Sequence, residues 1–175
     1  MKLMSWNIRG IGSELKVSEL RRVIRVHKVD LVFIQEPKKE VVKEDLIRKI
    51  WYDDDFDFRF SGAEGKAGGL FSVWNSKAFE LNTCLITRNT IFLEGRIAAS
   101  NLHCTLINVY ASKKKRNRSE RSGCSTRQTG SLEFNSFIKK CKLLDIPLTG
   151  RKFTWFGNGA KRSRLDRILV DEEWA

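Results

Sequence analysis

The spacing of apolar residues shifts repeatedly between helical and strand periods. Lys2–Ile8 reads as a short strand. Ser13 stands where a helix cap belongs. Val17, Leu20, Val23, Ile24 and His27 then recur at intervals of three and four, which predicts a helix over Glu14–Lys28. Asp30–Gln35 is a near-continuous apolar run, the pattern of a buried strand, and Pro37 stops it. Glu44–Trp51 predicts a short second helix. Phe56, Phe58 and Phe60 alternate with Asp57 and Arg59 at strand period, and a glycine-rich turn follows over Gly62–Gly69. Leu70–Trp74, Phe79–Thr87, Arg96–Asn101 and His103–Tyr110 read as successive strands of an antiparallel meander. Helical spacing returns over Leu132–Leu144, through Phe137, Ile138 and Cys141. Lys152–Phe156 and Leu165–Val170 read as two last strands, joined by Gly157–Ser163.

This order of elements predicts an α/β (α+β) sandwich with a mixed sheet. If the first helix is a right-handed crossover, the first two strands are parallel neighbours. Asn7 and Glu36 then leave the same sheet edge. An amide and a carboxylate at the carboxyl ends of strands suit a hard cation such as Mg²⁺ and a phosphate oxygen. Tyr110 ends another strand and could offer its hydroxyl there. On spacing alone, plainer roles outweigh that reading: a turn residue before Arg9–Gly10 for Asn7, and a strand-exit carboxylate for Glu36.

Composition narrows the class. A chain of 175 residues suits one domain, with 41% apolar and 31% charged residues and two prolines, a globular balance. No apolar run approaches the roughly 18 residues that span a bilayer. MKLMSWNIRG enters a strand without the apolar core of a signal peptide. The net charge of +12 points to a polyanion. Nucleic acid ranks ahead of a membrane surface, because no basic amphipathic anchor helix is evident. Lys113–Thr129 concentrates this charge, with seven Lys or Arg residues against Glu120. Within it KKKRNR (113–118) fits a nuclear localisation signal, although short basic runs are usually solvated loops.

Cys84, Cys104, Cys124 and Cys141 show no C-x-x-C spacing, which predicts free core thiols in a reducing, intracellular setting rather than zinc. His27 falls on a helix and His103 in a strand, both structural positions. GAEGKAGG (62–69) lacks phosphate-loop spacing and precedes a strand, so it is read as a turn.

Five strings carry a family resemblance: MSWNIRG (4–10), LVFIQEPK (31–38), AGGLFSVW (67–74), INVYA (107–111) and GRKFTWFGNG…SRLDRILV (150–170). In this order they resemble the endonuclease/exonuclease/phosphatase superfamily. Within it they resemble most the endonuclease domain of plant LINE-type retrotransposon reverse-transcriptase polyproteins. The resemblance implies a two-sheet α/β sandwich that cuts phosphodiesters with Mg²⁺ or Mn²⁺, with DNA as the expected partner. It implies Glu36 as main metal ligand, Asn7 as helper on metal or phosphate, Tyr110 on the scissile phosphate, and Asp166 as orienter of a histidine. Thr154 and Trp155 would border the substrate groove. Arg96, Lys113, Lys114, Lys115, Arg116 and Arg118 would join them in binding nucleic acid.

Two parts of the family pattern are not found. No Gly-Asp-Phe-Asn string follows the tyrosine strand, and no Ser-Asp-His follows LDRILV. The expectation is therefore an incomplete sandwich, a single partial domain over 1–175, in which residues 112–130 stand in for a helix and strand. Such a chain would be a weak or inactive nuclease remnant, since hydrolysis needs an oriented water and leaving-group help as well as a metal. Non-catalytic nucleic-acid binding and a relic without function are the alternatives. A phosphoesterase acting on a lipid or small molecule fits the high charge poorly.

Overall fold

The computed structural model describes residues 1–64, 68–110, 121–122, 129–147, 155–156, 162–163 and 167–171. The chain divides into two compact units, Met1–Ala111 and Ser112–Ala175. Among the described residues no helix is long and apolar enough to cross a membrane.

The first unit runs β1 (Leu3–Asn7), α1 (Glu14–His27), β2 (Leu31–Gln35), α2 (Glu44–Ile50), β3 (Phe56–Ser61), β4 (Leu70–Asn75), β5 (Phe79–Ile86), β6 (Thr90–Ile97) and β7 (Leu102–Val109). Its strands form two sheets, ordered β1-β2-β4-β3 and β5-β6-β7. β1 and β2 are parallel, with Leu3 opposite Leu31 and Asn7 opposite Gln35. Every other pairing in the two sheets is antiparallel.

Helix α1 starts where Ser13 accepts the Lys16 N–H, and it ends at Lys28 in the left-handed region. A non-glycine residue there is uncommon, but its N–H reaches the carbonyls of Ile24 and Arg25 and so satisfies the helix end. Leu20 and Ile24 of α1 and Ile47 and Ile50 of α2 pack against Val32, Ile34, Phe71 and Val73 on one face of the first sheet. Its other face offers Leu31, Leu70 and Trp74 to Phe79, Ile91, Leu93, Ile97 and Leu106 of the second sheet. The first sheet is thus a middle layer, with helices on one side and a sheet on the other.

Three sequence expectations are corrected here. Leu70–Trp74 does not belong to the meander. It lies between β2 and β3, and all five of its residues are buried. The strand expected at Arg96–Asn101 is instead Thr90–Ile97, followed by a turn in which Asn101 has φ +54°. Its inward phase is Ile91, Leu93, Gly95 and Ile97, and Gly95 hides the alternation. A Cβ at Gly95 would lie 2.3 Å from the Glu80 carbonyl oxygen and 2.6 Å from the Phe79 ring, so a side chain is excluded there. The cysteines form the third correction. Cys84 and Cys141 are exposed rather than core residues, while Cys104 is half-buried and burial pushes its thiol pKa up. Cys124 lies outside the described residues.

The second unit holds β8 (Arg121–Ser122), α3 (Thr129–Lys140), β9 (Leu143–Asp145), β10 (Trp155–Phe156), β11 (Arg162–Ser163) and β12 (Leu169–Asp171). β10, β11 and β8 form one antiparallel sheet, and β12 pairs with β9. The helix expected to reach Leu144 stops at Lys140. Lys142 has φ +49°, which turns the chain so that Leu144 pairs with Val170. Arg167 Nη1 lies 3.2 Å from Asp145 Oδ2 beside this pair.

Candidate functional site

The site forms at the carboxyl ends of β1 and β2. Asn7 closes β1, and Glu36 follows β2 directly. The parallel register sets these exits side by side. Beyond the sheet the two chains stay paired. The Ile8 N–H donates to the Gln35 carbonyl at 3.0 Å, the Gly10 N–H to Glu36 at 2.7 Å and the Ile11 N–H to Pro37 at 3.1 Å.

Both exits use uncommon backbone conformations. Arg9, Glu36 and Lys38 have φ of +50°, +53° and +57°. Side-chain-bearing residues held there cost of order 1 kcal/mol each and persist only when the surroundings enforce them. For Glu36 the enforcement comes from both flanks. Its carbonyl takes the Gly10 N–H, and its own N–H donates to the Gly69 carbonyl at 3.1 Å. The Lys38 N–H reaches Gly68 at 3.1 Å. Gly68 and Gly69 have φ of +87° and +83°, a path open to glycine. The glycine-rich stretch therefore has a role beyond a turn: it brings the entry to β4 against the Glu36 loop. Its residues 65–67 lie outside the described set.

Three side chains named from sequence come together. The Tyr110 hydroxyl donates to Glu36 Oε1 at 2.9 Å. Asn7 Nδ2 approaches the same oxygen at 3.4 Å. Asn7 Oδ1 accepts the Arg9 N–H at 3.3 Å, a local turn that orients the amide. Glu36 is only 6% exposed, so the carboxylate sits at the floor of the site. Lys16, in the first turn of α1, extends its ammonium over the loop, where it donates to the carbonyls of Ile8, Arg9 and Gly10 at 3.0, 3.3 and 2.8 Å. Arg9, Lys38 and Lys39 are exposed on the two loops after Asn7 and Glu36.

Arg96 is not part of this cluster. It pairs across β6 and β7 with His103, seven residues before Tyr110. At about 3.4 Å per residue that is more than 20 Å away along the strand. Its guanidinium is engaged by Glu80 and Asn101. Lys113, Lys114, Lys115, Arg116, Arg118, Thr154 and Asp166 lie outside the described residues. Trp155 is described only as part of β10. Both histidines are exposed, and neither lies at the cluster's strand ends: His27 is in the last turn of α1, and His103 is near the start of β7.

Sequence reasoning passed over a buried polar seam beneath the site. Asn108, 1% exposed, donates from Nδ2 to the Phe71 carbonyl at 3.1 Å and to Ser72 Oγ at 3.3 Å. Its Oδ1 accepts from Gln35 Nε2 at 2.8 Å, and Gln35 also donates to Ser5 Oγ at 3.1 Å. The available signal was phase. Asn108 shares the inward phase of β7 with Leu106, where an unpaired amide would be costly.

The donor set is hard oxygen. One carboxylate with an amide matches the way Mg²⁺ is held, through one or two carboxylates completed by water and substrate phosphate. Among the described residues no three His, Cys, Asp or Glu side chains converge, so an all-protein cage is not the arrangement there.

No family model matches the sequence, and no curated protein matches it. Solved structures do resemble the chain. TDP2 from C. elegans superposes with a TM-score of 0.55 at 17% identity, covering 95% of this chain and 63% of its own. The AP endonuclease LMAP from Leishmania major gives a TM-score of 0.48 at 18% identity, covering 62% of this chain and 39% of that one. The Xenopus laevis APE2 catalytic domain gives 0.45 at 18% identity, covering 69% of this chain and 46% of that one. The chain spans less than two thirds of the length of each. At such identities the likeness speaks for architecture alone: the chain adopts an α/β sandwich like that of TDP2 from C. elegans.

Proposed function

We propose that Asn7, Glu36 and Tyr110 are the metal and phosphate end of a phosphodiester-cleaving endonuclease site. The observation that carries this reading is their convergence on Glu36 Oε1 at the exits of parallel strands. Glu36 would hold Mg²⁺ or Mn²⁺, with Asn7 beside it. The bound cation would supply charge stabilisation to a phosphate oxygen. Tyr110 orients the carboxylate through its hydroxyl. Exposed Arg9, Lys38 and Lys39 would attract the backbone of a nucleic acid, DNA in the first instance. The retrotransposon origin of the site rests on the motif order alone.

The same reading holds that this 175-residue polypeptide is a weak or silent enzyme. It contains no Gly-Asp-Phe-Asn string, and neither of its histidines stands at the cluster. Losing one member of a catalytic unit costs several powers of ten in rate. A second reading, nucleic-acid binding without cleavage, is favoured by the exposed cations and the net charge of +12.

Two measurements on the full chain test both readings. Mn²⁺ titration followed by electron paramagnetic resonance should show a site that Glu36→Ala abolishes. In a Mg²⁺-dependent plasmid-nicking assay, wild type should lie near background and Glu36→Ala at background. Unchanged Mn²⁺ affinity in Glu36→Ala would overturn the metal site. Salt-sensitive DNA binding with no nicking at any enzyme concentration would leave the second reading standing.

A further inference from the structure

Each sheet contributes to the site: the first delivers Glu36, and the second delivers Tyr110. A bond as short as 2.9 Å between them requires that the sheets not slide. Apolar packing between sheets resists separation but is weakly directional. Hydrogen bonds with fixed donors and acceptors supply the missing direction.

Asn108 lies on the inward face of β7, and Tyr110, just past the end of the strand, packs against the same core. They engage consecutive residues where the chain leaves β2: Asn108 takes Gln35, its last residue, and Tyr110 takes Glu36, the next. The Asn108 amide also reaches β4 through the Phe71 carbonyl and Ser72 Oγ. One side chain from the second sheet thus grips two adjacent strands of the first. Gln35 is 8% exposed, and Ser72 and Asn108 are at most 1% exposed, so water does not compete for these bonds.

We propose that Asn108 is the positioning residue of this site: by holding Gln35 across the gap between the sheets, it fixes the Glu36 carboxylate against Tyr110. It touches neither metal nor substrate and acts through the β2 exit. The metal aspect of this inference rests on the reading of Glu36 as a metal ligand. The positional aspect does not, because the Gly10 and Glu36 amides report on the exit without metal.

The test compares the full chain in four forms, wild type, Asn108→Ala, Gln35→Met and Leu93→Ala, with Glu36→Ala added as a fifth for Mn²⁺ binding. Gln35→Met removes the bridge from the β2 side at similar volume and guards against misfolding of Asn108→Ala. Leu93→Ala weakens the same core without touching the polar seam. Amide hydrogen exchange is measured metal-free at a temperature where all four are folded. Mn²⁺ affinity is measured under the same conditions. Exchange at the Gly10 and Glu36 amides should rise at least tenfold more in the two seam variants than in Leu93→Ala, normalised to their losses in Tm. Mn²⁺ binding should weaken about tenfold in the seam variants, as is usual for groups that orient a metal ligand, and stay within about twofold in Leu93→Ala. Equal exchange in seam and core variants would overturn the proposal. So would seam variants that bind Mn²⁺ as wild type does while Glu36→Ala does not. If Glu36→Ala leaves Mn²⁺ binding intact, the metal reading has failed, and the exchange data alone decide the positioning role.

Discussion

β2 and β7 both deliver a side chain to the site, yet they live in different surroundings. β2 has a sheet neighbour on each edge, helices against one face and the second sheet against the other. β7 buries one face, while Ile107 and Val109 are exposed on the other. The burial of each strand matches its place: LVFIQ is buried at nearly every position, and LHCTLINV alternates between the two faces from Cys104 onward. The difference explains why the carboxylate follows β2. An uncommon backbone angle and a nearly buried charge need a neighbour that cannot yield. A phenol, whose hydroxyl can turn to suit its acceptor, is placed on the strand with more room.

The largest effect should separate the two strands. Leu31→Ala removes a fully buried side chain from β2 and should cost about 2–5 kcal/mol. Ile107→Thr, on the exposed face of β7, should stay within about 0.5 kcal/mol. Urea unfolding compares them, and similar midpoints would erase the distinction. A smaller effect tests the strain at the β2 exit. Glu36→Gly relieves the positive φ that Glu36→Ala retains, so the glycine variant should be the more stable by about 1 kcal/mol, although both lose the metal ligand. Equal stability would mean that the angle carries no strain. The smallest effect concerns thiols. Cys84 and Cys141 should alkylate readily at pH 8, and Cys104 on the inward face of β7 should react several-fold more slowly, because burial raises its pKa. Peptide mapping after brief exposure to iodoacetamide gives the order.

Much of this architecture was legible in the chain. The Asp30–Gln35 run announced a strand covered on both faces, and the helix before it set Asn7 and Glu36 at one edge. The inward phase of β6 escaped because Gly95, required by the close Phe79 ring and Glu80 carbonyl, looks like a break in a strand. The end of α3 escaped because Leu144 continues the helical spacing, while Lys142 turns the backbone. Asn108 escaped for a deeper reason. An amide in an apolar phase makes sense only once its partners are known: its acceptors lie 36 or 37 residues away on β4, and its donor, Gln35, lies 73 away. Local pattern carries periodicity, but not the partners of a buried polar group.

Lys16 has a consequence of its own. Several carbonyl oxygens gathered around one positive charge is how many proteins hold sodium or potassium. Here the charge comes from a side chain anchored in α1, so it cannot diffuse away or be exchanged for another ion. The curve of chain between Asn7 and the first helix therefore keeps its shape whatever monovalent salt surrounds it. A change of buffer from sodium to potassium should leave this rim unaltered.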